Sequence, residues 1–138
     1  MAVIVEADKL IGKLGKLADL DYTQPLKDAC SLVEREAKEK CPVASGELRR
    51  SIESVIKGNV GEVGSDLFYA PYVEYGTGLF SSSGDGRKDV PWHYLDVKGN
   101  WHTTSGQHPH PYLIPAYENN RDKIAKIFRD FMRENLND

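Results

Sequence analysis

YAPYVEYGTG, residues 69–78, has the makings of a helix of one or two turns. Pro71 suits a first turn, where a missing N–H is harmless. Tyr69, Tyr72 and Val73 recur at offsets of three and four, so the spacing predicts that they share one face. Gly76 can take the left-handed conformation that closes a helix, and Thr77-Gly78 let the chain turn away. Helices shorter than about 12 residues are marginal in water. This one is therefore expected to dock by its aromatic face on something larger, either the preceding apolar helix or the last one.

The flanks supply those partners. Upstream, Leu26, Ala29, Cys30, Val33 and Ala37 form the apolar stripe of a helix opened by Pro25, capped by Thr23 or Gln24 and stopped before Pro42. Its outer face carries the i,i+4 pairs Glu34–Lys38 and Glu36–Lys40. An earlier helix over residues 6–20 places Leu10, Ile11, Leu14 and Leu17 on one side, and Gly12 and Gly15 weaken it. In CPVASGELRRSI, residues 41–52, Ser45-Gly46 make a turn or a cap for Leu48. Residues 52–57 alternate as a strand, Gly58-Asn59 signals a hairpin, and residues 60–64 return.

Downstream, LFSSSGDGRKDV, residues 79–90, has no apolar periodicity and reads as a flexible arm with apolar anchors at Leu79, Phe80, Val90, Trp92 and Trp101. Residues 92–97 and 101–104 alternate around Lys98-Gly99-Asn100, a second hairpin that would set His102 opposite Val97. Three prolines hold residues 107–114 extended. Pro115 then opens a last helix whose expected buried face is Tyr117, Ile124, Ile127, Phe128 and Phe131. The whole is expected to be one α+β domain over residues 1–138. Its small antiparallel sheet of two hairpins packs against N-terminal and C-terminal helices, with a short central helix.

With 138 residues, 40% hydrophobic and 28% charged, the chain has the composition of a globular domain able to bury one core of moderate size. A net charge of −3 argues against a protein that grips nucleic-acid phosphates, though not against a wall past which DNA slides. The apolar run at residues 2–5 is broken by Glu6 with no basic stretch before it, so neither a secretory leader nor a membrane span is expected. Cys30 and Cys41 are about 16 Å apart along a helix axis, beyond disulfide reach, and are expected to be buried and reduced.

Residues that could carry chemistry are few. His93, His102, His108 and His110 fall within 18 residues, and His108 and His110 share a face of an extended segment. Yet no HExxH or comparable spacing supplies a full ligand set. A metal-dependent enzyme built on these histidines is one alternative. A nucleic-acid-binding module stacking bases on Trp92, Tyr94 and Trp101 beside Arg49 and Arg50 is another. No phosphate loop, nucleophile elbow or acid–base carboxylate pair is present, so no catalytic residue and no cofactor are assigned.

Three segments taken together resemble a known family. Pro42, Ser45, Gly46, Leu48, Arg49, Ser51 and Ile52 fit P-x-x-S-G-x-L-R-x-S-I. Tyr69, Ala70, Tyr72, Val73, Glu74, Gly76 and Thr77 fit Y-A-x-Y-V-E-x-G-T. Pro111, Leu113, Pro115 and Ala116 fit P-F-L-x-P-A, with Tyr112 in place of Phe. This order, over about residues 28–127, is similar to the tail-completion, or head–tail joining, proteins of long-tailed bacteriophages. The resemblance implies a non-enzymatic virion protein without cofactors, made in the host cytoplasm. Such a protein forms a ring, usually a homo-hexamer, at the head–tail junction. Its partners would be a neck or stopper protein and the tail tube or tail terminator, with DNA passing through the lumen unbound and no membrane involved. Expected subunit or partner contacts are Arg49, Arg50, Glu74 and Tyr75, whose exposed charges could pair between neighbours, and Leu79, Phe80, Trp92 and Trp101.

Overall fold

A computed structural model describes residues 7–44, 46–82, 84 and 86–136. In order these form helix α1 (Asp8–Ala18), α2 (Thr23–Lys40) and α3 (Glu47–Ser51), strands β1 (Glu53–Lys57) and β2 (Val60–Gly64), α4 (Ala70–Tyr75), a 3-10 turn at Gly78–Phe80, strands β3 (Trp92–Leu95) and β4 (Trp101–Thr104), and α5 (Leu113–Leu136). The architecture is α+β. The two hairpins, expected as one sheet, make two separate two-stranded antiparallel sheets. Ser45, one of the motif residues, lies outside the described residues.

α2 begins where the Asp21 carboxylate accepts hydrogen bonds from the Thr23 N–H (3.0 Å) and hydroxyl (2.6 Å). Asp21 thus does the capping expected of Thr23 or Gln24, and the two bonds hold its carboxyl below the usual carboxylate range. The expected stripe is inside: Ala29, Cys30, Val33 and Ala37 are buried and Leu26 half-buried. Glu34 and Lys38 pair at 3.3 Å on the outer face. Both cysteines are free and buried, and burial pushes their thiols up. The first hairpin turns at Gly58-Asn59 with Lys57 opposite Val60, as the spacing predicts, and it lies against α2.

The three motif segments meet in one core. Leu48 and Ile52 come from the first, Ala70 from the second, and Tyr112 and Ala116 from the third; all join Val33, Ala37 and Cys41, with Tyr69, Val73 and Leu113 packed on them. The broadest contact in the fold, between α2 and α5, builds this core. Its most deeply buried residues include Ala37 and Ala116, which are fully buried, and Asn120, which is nearly so. Tyr117, expected inside, is 49% exposed. α5 turns Ala116 and Asn120 inward, and the Tyr117 ring lies at the wall of a groove between α2, β2 and α5. The buried Asn120 amide is satisfied by the Ala116 carbonyl at 2.7 Å.

In the second hairpin His102 stands opposite Tyr94, not Val97. Asp96 sets this register: its carboxylate accepts the Lys98 and Asn100 N–H groups, both at 2.9 Å, so residues 96–100 form the turn and Val97 is fully exposed. α1 forms as expected but buries nothing. Leu10, Ile11 and Leu14 are exposed, and its neighbour in the fold is α5.

Val73 packs on the core from α4 while lying half-buried at its edge. Val73→Asp sets a charge against Leu and Tyr side chains and should destabilise the fold by about 2–3 kcal/mol in urea titration. An unchanged unfolding midpoint would place α4 outside the cooperative core.

Candidate functional site

Of the expected face of α4, Tyr69 and Val73 pack on the core and Tyr72 does not. A six-residue helix can present only one narrow face, and here it is Ala70, Val73 and Glu74. Tyr72, at 54% exposure, points outward with Tyr75. Glu74, expected as an exposed charge for a neighbouring subunit, is 5% exposed. Its carboxylate is fully engaged: one oxygen accepts the Tyr112 and Leu113 N–H groups (2.8 and 3.0 Å), the other the Ile114 N–H (2.8 Å). These are the free donors at the start of α5, and the next residue, Pro115, has none. A buried carboxylate is tolerated here because three charge-assisted bonds and the positive end of a 24-residue helix replace water. Glu74 is therefore not the exposed charge that was expected: within the chain it joins α4 to α5.

Next to this junction the chain leaves the core and returns. Thr77 N–H donates to the Gln107 carbonyl (2.9 Å), Leu79 N–H to Ser105 (3.0 Å) and His110 N–H to Val73 (2.8 Å). The Thr77 hydroxyl accepts the Gln107 N–H at 2.9 Å. The two chains lie too close for side chains: a Cβ at Gly106 would meet the Thr77 carbonyl, and one at Gly76 the Gln107 and Phe80 carbonyls. Both glycines also have positive φ, 128° and 79°. The segment over residues 79–90, expected as a free arm, is tied back at its start. Ser82 donates its N–H (2.7 Å) and hydroxyl (3.0 Å) to the Tyr75 carbonyl, and Phe80 stacks on His108 at 3.9 Å between centroids.

The outer face of this junction is an aromatic cleft of about 370 Å³ bounded by Tyr72, Tyr75, Thr77, Arg87 and Trp92. Arg87 was not singled out from sequence. Its guanidinium lies 5.0 Å from the centre of the Trp92 ring and is gripped by Asp89, with Nε at 2.6 Å and Nη2 at 3.2 Å. That pairing holds the Asp89 carboxyl below the usual range. Leu79, Phe80 and Trp101 are exposed nearby in sequence, while Trp92 is half-buried under Arg87. Arg49 lies elsewhere, beside Arg35, Lys38 and Glu39 on the far part of α2, and Arg50 is exposed one residue on.

The histidines do not converge. His93 Nδ1 is 2.8 Å from the Thr103 hydroxyl, His102 Nε2 is 2.7 Å from Asp96, and His108 stacks on Phe80. Among the described residues no group of three or more His, Cys, Asp or Glu could hold a metal ion. Among them, too, no helix is long and apolar enough to cross a membrane.

Against known proteins, a family model described as "Bacteriophage HK97-gp10, putative tail-component" matches residues 6–76. The match spans 71 of 138 residues, from just before α1 to the glycine that closes α4. No curated protein and no solved structure matches.

Two outcomes follow from the junction. Glu74→Ala leaves three N–H groups facing an apolar gap and should cost about 3–5 kcal/mol in chemical denaturation. Glu74→Gln, with one acceptor oxygen, should recover only part of this. The second concerns Tyr112, whose hydroxyl is pushed up to about 12 by burial and then by the Glu74 charge. Its proton is held more tightly in the folded state than in the unfolded one. Its contribution to stability is therefore whole below pH of about 10 and lost as pH rises toward 12. Tyr112→Phe should hold its unfolding midpoint further into alkali than the parent; equal alkaline loss in both would exclude Tyr112 as the cause.

Proposed function

This chain belongs to the HK97-gp10-like family of bacteriophage tail components, and from that premise we propose that it is a structural virion protein of the head–tail junction. In this reading copies of the chain close into a ring, a homo-hexamer, that joins DNA-filled heads to tails. The ring is made from subunits released in the host cytoplasm. It lies between a neck or stopper protein and the tail tube or tail terminator, and DNA crosses its lumen without specific binding. The observation that carries the reading is the convergence of all three motif segments in one core, with Glu74 tying the second to the third. The three segments on which the resemblance rests thus belong to one packed unit that extends beyond the 6–76 match itself.

The exposed set supports a binding role rather than a catalytic one. Tyr75, Leu79, Phe80 and Trp101 present apolar area at the surface, and aromatic anchors are favoured at the centres of interfaces. Arg49 and Arg50 present charge on a separate face, suited to a second neighbour in a cyclic arrangement. A net charge of −3 fits a lumen that DNA slides past. Among the described residues the metal-enzyme reading has no converging ligands behind it, and the nucleic-acid reading has a net charge of −3 against it.

Electron microscopy of particles made without this protein tests the proposal. Full heads beside separate, finished tails are expected. Joined, infectious particles would overturn it, as would empty heads, which place the defect in packaging.

A further inference from the structure

Two apolar features of the chain have no partner among the described residues. The first is the ridge of α1: Leu10, Ile11 and Leu14 are 59%, 63% and 55% exposed, and no residue of α1 is buried. The second is a groove of about 330 Å³ between α2, β2 and α5. Its walls include Cys30, Val33, Val63, Leu113, Ile124 and Phe128, and no charged side chain lines it. At one wall β2 comes so close to α2 that even a Cβ at Gly61 would clash with the Cys30 sulfur. At the α1–α2 corner the Tyr22 hydroxyl donates to the Leu17 carbonyl at 2.7 Å, and the Tyr22 ring lies against Phe128 and Phe131. This holds the corner at the Phe128 end of the groove while the ridge itself faces solvent.

We propose that α1 of one copy seats its Leu10–Ile11–Leu14 ridge in the α2–β2–α5 groove of the next copy. The match is one of chemistry and of charge. An i, i+1, i+4 apolar ridge on an amphipathic helix is the usual occupant of such a groove. α1 carries three lysines against one aspartate, a net +2, so the rest of a chain whose total is −3 carries −5. The helix of one copy is therefore drawn to the body of another. Because ridge and groove are different surfaces of the same chain, the contact is heterologous, and repeated it runs head to tail and can close into a cycle. The inference rests on the ring reading above and names the contact that builds the ring.

The test uses the full chain. Leu14→Cys and Tyr117→Cys are prepared separately; both positions are about half exposed, and Tyr117 lines the groove. With a short bis-maleimide, the mixture should yield covalent dimer at least tenfold above either variant alone. In parallel, Leu10→Asp/Leu14→Asp should keep the parent's melting temperature, since α1 buries nothing, but sediment as a monomer under conditions where the parent assembles. If this double variant assembles like the parent, the α1 contact is wrong while the ring reading stands. If the parent stays monomeric at its highest soluble concentration, both fail. A monomeric parent that floats with phosphatidylserine vesicles would make a membrane surface the occupant and also overturn the proposal.

Discussion

Three hydrogen bonds to one carboxylate hold the two halves of this protein together. Glu74 comes from the middle of the chain and its partners lie 38 to 40 residues later. Removing a carboxylate from water is expensive unless every lone pair that matters is occupied. Here it faces the one backbone feature that offers several aligned donors and a favourable dipole, a helix N-terminus. Pro115 completes the arrangement, since it removes the donor Glu74 could not reach. The charge thus fixes where α5 starts, and α5 in turn supplies Ala116 and Asn120 to the contact with α2. Tyr112 is sealed beside the carboxylate by the same geometry, which explains why its proton is so tightly held.

The junction also divides the chain into a body and an excursion. The body is α2, α3, the first hairpin, α4 and α5, all packed on one core. The excursion, about residues 77–110, leaves beside Glu74 and returns beside it, closed by backbone bonds from Thr77 to Gln107 and from Leu79 to Ser105. A loop closed at its base costs little more entropy as it lengthens. Its hairpin makes no broad contact with a helix among the described residues. Surface area that the core does not need, such as Trp101 and Phe80, can therefore be carried there without disturbing the fold.

Local signals were readable from the residues alone. The α2 stripe, the Gly58-Asn59 turn with its register, and the close of α4 at Gly76 all depend on neighbours within a few positions. So did the three motif segments, though not that they would share a core. What escaped the reading was set by distant partners. Glu74 looks like a surface charge between two tyrosines, and only α5, far along the chain, makes it an inside residue. A hint was available: Glu74 stands four residues from Ala70, one helical turn from a residue small enough to be buried. The second hairpin was misread by three positions because Asp96, not Gly99, organises its turn. Tyr117 was assigned to the core by period alone, whereas the α5 residues that are buried are Ala116 and Asn120, one position before it and three after.

The family match ends at residue 76, two residues after Glu74 and at the glycine that lets the chain leave the core. Everything required to receive α5 lies inside the matched part: the α2 stripe, Leu48 and Ile52, and the carboxylate itself. What must follow is only a helix whose first donors can reach that carboxylate and whose small residues can approach α2. Such a requirement constrains few positions of the second half: Tyr112, Leu113, Ile114, Pro115, Ala116 and Asn120. The remaining outer face of α5 and most of the excursion are free of it. The physical demands of the fold therefore fall densely on the matched residues and sparsely beyond them. This leaves the later half of the chain the freer part to be shaped by whatever it touches.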